Sequence, residues 1–274
     1  MKTLISAALL SLGSALTFGQ TLSKPALVSE LQMDFGRQTF KMRDLQASPM
    51  LYVANLNGVR LAYSRLTTRN QWQFGLQAGT GSFIPPSLGV RGFTFASEQE
   101  QPLWLAPTLY RGRLDLNYRR LVHRTANRTT WLGVGLHETV GYSDGLALST
   151  WAFNNASLRV LYQSQLQLGN RHTLIADASL PVLAAVTRMP YSNVVSKPNR
   201  SEAALFFSGT RWATLNRFVN PELGLSYRFK LSRRLSLGAN YRYSWMRYTE
   251  PRLIRTSDHA LSGSIIYKFQ QQYR

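Results

Sequence analysis

Residues 223–245 read LGLSYRFKLSRRLSLGANYRYSW. Leu223, Leu225, Tyr227 and Phe229 occupy alternate positions, and Gly224, Ser226 and Arg228 lie between them. After the polar break KLSRR the pattern resumes. Leu235, Leu237, Ala239, Tyr241, Tyr243 and Trp245 alternate with Ser236, Gly238, Asn240, Arg242 and Ser244. A period of two marks a strand with one apolar and one polar face. Two such strands joined by a short basic turn make an antiparallel hairpin, and the fold depends on what each face meets.

The same alternation recurs along the chain. It runs through Leu31, Met33 and Phe35, through Val59, Leu61 and Tyr63, and through Trp72, Phe74 and Leu76. It continues near Leu114–Tyr118, Leu132–Leu136, Leu158–Tyr162 and Leu174–Leu180, and ends in Leu261–Phe269. This predicts about ten strands, each long enough for a tilted membrane crossing of roughly 9–11 residues. The predicted tight turns are 67–70, 123–130, 169–171 and 230–234. Longer connections are expected near 84–104, 143–155, 187–215 and 247–257, with a shorter one near 41–50. Short turns at one end and long loops at the other are the plan of a closed antiparallel transmembrane β-barrel, with turns periplasmic and loops extracellular. A soluble sandwich alternates too. Against it, Tyr63, Trp72, Tyr118, Tyr227, Phe229, Tyr243, Trp245, Tyr267 and Phe269 crowd toward strand ends, as in an interfacial girdle.

Composition fits. The 274 residues have a mean hydropathy of −0.19 and no cysteine, which excludes disulfides and thiolate metal sites. The N-terminus has a basic start at Lys2, the apolar stretch LISAALLSLGSALTF, and the small residues Thr17 and Gly19 around a cleavage position. This predicts a signal peptide over 1–19 and a barrel over 20–274. The exported chain loses only Lys2 of the formal +19 charge.

On these features the chain resembles bacterial outer-membrane β-barrels over residues 27–269. The last strand, LSGSIIYKF, looks like the aromatic-ended signal read by the barrel-assembly machinery, although QQQYR follows Phe269. Gln20 after the predicted cut, with this loop style, is similar to exported proteins of Bacteroidota. The resemblance implies an outer-membrane location in a Gram-negative cell, a monomer, and partners in outer-membrane lipid, lipopolysaccharide and the assembly machinery.

Strand parity predicts the inward set. Its charged members are Glu30, Asp34, Arg60, Arg111, Arg113, Asp115, Arg119, Arg159, Asp177, Glu222, Arg228, Arg242 and Lys268. Eight bases face five acids in that set, which reads either as a paired polar plug or as a narrow anion path. Arg111, Arg113 and Arg159 are expected to reach Asp177 and Glu222 across a lumen that ten strands nearly fill. The expected role is therefore envelope-structural or narrow, porin-like transport. Arg188, Lys197, Arg200, Arg211, Arg217, Arg247, Arg252 and Arg255 are read as loop bases for lipopolysaccharide phosphates.

The alternative is an outer-membrane hydrolase, protease or lipid-acting, with its site at the extracellular rim. Asp258-His259, Asp144 and the His137-Glu138/Ser143 set are the residues to weigh. None matches a motif, and adjacent strand residues point to opposite faces. The four histidines lack metal spacing, so neither metal nor cofactor is expected. Arginine is dispersed and not gathered into a patch, which argues against nucleic acid.

Overall fold

The computed structural model describes residues 27–93, 103–105, 107–146, 149–189 and 201–271. Ten long strands form the wall: β1 (Leu27–Asp44), β2 (Ser48–Leu66), β3 (Asn70–Ile84), β4 (Thr108–Arg124), β5 (Arg128–Leu146), β6 (Ser149–Leu168), β7 (His172–Arg188), β8 (Glu222–Lys230), β9 (Leu235–Tyr248) and β10 (Ile254–Gln271). Each pairs antiparallel with its neighbours in the chain. β10 returns to β1, from Leu27 opposite Gln271 to Asp44 opposite Ile254. The sheet therefore has no free long edge, as a β-structure in lipid requires.

The tight turns fall at 67–69, 125–127, 169–171 and 231–234, all at one end. Gly169 holds its turn with φ +75°, a conformation open to glycine. At the other end the long connections are 85–107 and 189–221. The latter contains a helix, Glu202–Ser208, capped by Ser201, and two short strands that extend β8. Arg211–Thr214 pairs with Leu183–Val186 of β7, and Phe218–Val219 pairs with Arg247–Tyr248 of β9.

Three expected connections shrink. The segment near 41–50 becomes a turn at 45–47, 247–257 becomes 249–253, and β5 and β6 meet with Leu146 opposite Ser149. The residues read as loop are strand. With about 18 residues per strand, a rise near 3.3 Å and a tilt near 40°, the wall stands about 45 Å tall. An apolar membrane band needs only about 25 Å. The wall is thus taller than the apolar band, and its uppermost rows pass into the headgroup layer.

Above the band the two faces exchange chemistry. Toward the turn end the outward residues are apolar, among them Leu61, Phe74, Leu116, Val134, Leu225 and Ile265, while the inward ones are polar. Toward the loop end the inward residues are Phe40, Met42, Tyr52, Leu56, Phe83, Leu109, Trp151, Phe153, Met246, Tyr248 and Ile254, which pack into one buried cluster. Their outward neighbours there include Lys41, Arg43, Asn55, Thr80, Arg247 and Arg255. The sequence period is unchanged. Only the surroundings on the outside have changed, from lipid tails to headgroups and water.

Candidate functional site: the filled lumen

Each lumen side chain is set by strand parity. In β1, β2, β8, β9 and β10 the even-numbered residues face in, and in β3 to β6 the odd-numbered ones do. β7 changes parity. A register shift places Leu158 opposite Leu183 but Arg159 opposite Pro181, a proline being tolerated mid-strand at such a bulge. Below it Ile175, Asp177 and Ser179 face in; above it Ala184, Val186 and Arg188 do.

The charges are stacked in layers. Nearest the turns, Glu30 accepts from Arg228 at 3.0 Å and lies 3.2 Å from Lys268. Above it Asp34 accepts from Arg60 at 3.1 Å, from Gln32 at 2.8 Å and from Asn240 at 3.2 Å. The central layer is built on Glu222, 7% exposed. Arg113 donates to both its oxygens at 2.5 and 2.9 Å, with Arg242 at 3.4 Å and Arg159 at 3.9 Å. Arg113 also donates to Asp115 at 2.6 Å. Since β4 and β8 lie four strands apart around the ring, this bidentate pair spans the lumen.

His137 completes the layer. Arg113 donates to its Nδ1 at 3.1 Å, so Nε2 carries the proton and donates to Asn117 Oδ1 at 2.8 Å. Higher still, Arg111 donates to Asp258 at 2.7 Å, and Gln38 donates to the same carboxylate. The Arg111 guanidinium sits 4.3 Å over the Phe40 ring, which joins the ionic layers to the apolar cluster. Among the described residues, cavities of ≈ 120 Å³ and ≈ 60 Å³ lie between these groups. Both are large enough for ordered water among the polar groups.

All of the expected inward charges lie on the inner face, but their pairing differs from expectation. Arg113 and Arg159 reach Glu222, whereas Arg111 reaches Asp258. Asp177 lies over Gly224, where an added Cβ would come within 2.3 Å of its carboxylate, and no described cation is within ion-pair distance of it. Asp258, considered as a rim residue, belongs to the lumen; its neighbour His259 faces outward against Tyr241 and Tyr243.

Among the loop bases, Arg188 is a correction. It is 6% exposed and donates to Asp44 and to the carbonyls of Glu250 at 2.8 Å and Arg252 at 2.5 Å. The bulge at Pro181 turned it inward. Arg211 and Arg217 are exposed and held by Glu250 at 3.7 and 2.5 Å. Arg252 and Arg255 are exposed; Lys197 and Arg200 lie outside the described residues, as does the signal-peptide segment. With Asp44, Asp258 and Arg188 added, the described lumen holds nine bases and seven acids, a smaller excess than the sequence set implied.

The turn end has a rim the sequence reading left unremarked. Arg65, Arg69, Arg120, Arg124, Arg128, Arg171, Lys230, Arg233 and Arg234 are exposed there, with no exposed carboxylate among the described residues of that end. They sit just beyond the aromatic pairs Trp72–Tyr118, with centroids 4.7 Å apart, and Tyr267–Phe269, at 4.8 Å.

No protein-family model matches the chain, and no curated protein matches its sequence. Among solved structures it is similar to the outer membrane protease OmpT from Escherichia coli, with 10% identity, a TM-score of 0.52, and coverage of 91% of this chain and 99% of that one. It is also matched to the Pseudomonas putida toluene transporter TodX, with 10% identity, a TM-score of 0.34 and 89% of each chain covered. A further match is Ail, the attachment invasion locus protein of Yersinia pestis, with 9% identity, a TM-score of 0.29, and 88% and 99% covered. At such identities the likeness is one of fold. The fold is the closed antiparallel ten-stranded barrel of outer-membrane proteins.

Proposed function

We propose that this chain is a monomeric outer-membrane protein, exported by a signal peptide over 1–19 and inserted by the barrel-assembly machinery. Its barrel is a sealed structural element of the envelope that conducts little or nothing. A source among Bacteroidota is part of this reading, supported by the style of Gln20 and the loops. One observation carries the reading: the Arg113–Glu222 pair crosses the lumen at 2.5 and 2.9 Å, and an apolar cluster closes the barrel above it. An ion traversing this path would have to displace a buried ion pair and then pass an apolar cluster, both costly steps.

Planar-bilayer recording of the purified barrel tests it. The expected result is no steady conductance above the lipid background. A stable open channel would overturn the sealed barrel and promote the narrow transport path.

The hydrolase alternative finds little to work with. Every histidine and every aspartate of the chain from residue 27 onward is described. His123 and His172 are at the turn end, His137 is in the lumen, and His259 is on the outer wall, so no imidazole stands at the loop-end mouth. Asp144 is the one aspartate exposed at that end, and it accepts a hydrogen bond from Tyr142 at 2.5 Å.

Orientation follows from the same plan, with the 189–221 connection outside the cell and the turns in the periplasm. An epitope tag inserted at Pro198 is expected to bind antibody on intact cells. A tag in 169–171 is expected to bind only after the outer membrane is permeabilised. The reverse labelling would invert the barrel.

A further inference from the structure

We propose that Arg43, Arg255 and Arg247 form a binding site for a phosphate group on an outer-leaflet lipid headgroup. The inference deepens the outer-membrane reading and rests on it.

The site comes from strand register. Arg43 of β1 is directly opposite Arg255 of β10, and Arg255 is directly opposite Arg247 of β9. All three are exposed and share the outward parity, so three guanidinium-bearing side chains stand abreast on neighbouring strands about 4.8 Å apart. Like charges directly opposite on one face repel and destabilise a sheet. An ordinary solvated wall would interleave acids among them. Here the carboxylates of this region are engaged elsewhere: Asp44 faces in toward Arg188, Asp258 faces in toward Arg111, and Glu250 is held by Arg217 and Arg211. Arg43 spends one donor on the Pro49 carbonyl at 3.0 Å, and no described residue supplies an anion to the row.

Height identifies the anion. Arg247 is two residues above Trp245, and Arg255 is four residues above His259, which packs with Tyr243 at 4.7 Å between centroids. The row therefore lies just beyond the loop-end aromatic belt, where the apolar band gives way to headgroups. Lys41, exposed and two residues below Arg43, adds a fourth base on the same face. Planar guanidinium groups side by side match the geometry of a phosphate, which accepts paired N–H donors. On an outer leaflet the fitting ligand is a phosphorylated saccharolipid.

The test uses the full-length barrel in detergent, with bisphosphorylated lipid A, the same lipid after enzymatic dephosphorylation, and inorganic phosphate as probes. Wild type is expected to bind the phosphorylated lipid more tightly than the dephosphorylated one. Arg255→Gln is expected to weaken the phosphorylated lipid about ten- to a hundredfold, as for the loss of a charge-assisted contact. It is expected to leave binding of the dephosphorylated lipid unchanged. Relief of repulsion should also raise the Tm of lipid-free Arg255→Gln at low salt, which a merely structural arginine would not do. Thr80→Ala, exposed at the same end but off the row, serves as the control and should change neither binding. Equal affinity for the two lipids, an unaffected Arg255→Gln, or full displacement by millimolar inorganic phosphate would overturn the site. Heat-modifiable migration of each variant reports barrel integrity separately, so a lost site and a lost barrel give different results.

Discussion

Replacing Glu222 with alanine is expected to destabilise the barrel by about 3–5 kcal/mol, the range for breaking a buried ion pair from one side. The side chain is 7% exposed and gathers Arg113, Arg242 and Arg159 within 4 Å. Without it three guanidinium groups share one layer of the lumen with Asp115, which is already engaged by Arg113 at 2.6 Å. Glu222→Gln keeps the shape and loses the charge, so it should recover only part of the loss. Asp177→Ala is the informative contrast. The same layer contains that carboxylate, but no described cation is within ion-pair distance of it, so its loss should be far smaller. Denaturant unfolding followed by tryptophan fluorescence in detergent measures all three. If Asp177→Ala cost as much as Glu222→Ala, the layered pairing seen here would not describe the folded lumen.

How much of this was legible beforehand depends on what alternation encodes. Period two gives the parity of Arg60, Arg113, Glu222 or Arg242 directly, because a one-residue slip would turn each of them toward lipid. It does not say which face meets which solvent. Phe40, Met42, Tyr52 and Trp151 alternate as regularly as Leu223 and Leu225, but with lysine, arginine and asparagine outside them. Read as a membrane strand, such a stretch breaks the rule and looks like loop, which is why 41–50, 143–155 and 247–257 resemble connections in the sequence. The Arg188 misplacement has a different cause. Parity carried upward from Asp177 points residue 188 outward, and only the bulge by Pro181 reverses it. A proline within a strand pattern was the available signal. Which acid pairs with which base was not readable, since partners on β4, β8 and β10 meet only once barrel closure fixes their heights.

The apolar end of the lumen gives the second large effect. Phe83→Ala is expected to cost about 3–5 kcal/mol, as for a phenylalanine removed from a packed core. Phe83 is 0% exposed, and its ring centroid is 5.4 Å from Tyr52 and 6.1 Å from both Phe40 and Trp151. Those contacts belong to a region whose outer face turns polar, so the inner cluster does the work that a soluble core does in any β-protein. Leu51→Ala, at a 49% exposed position on the outer face of the same region, should cost far less. The barrel should nevertheless stay closed in Phe83→Ala, because Arg111–Asp258 at 2.7 Å and Arg113–Glu222 at 2.5 Å still cross the lumen beneath it. The two seals are in series, and conductance is expected only when both are opened, as in Phe83→Ala combined with alanine at Arg111, Asp258, Arg113 and Glu222. Bilayer recording of the single and combined variants decides between the arrangements. Conductance in Phe83→Ala alone would make the apolar cluster the gate and leave the ionic layers beneath it permeable.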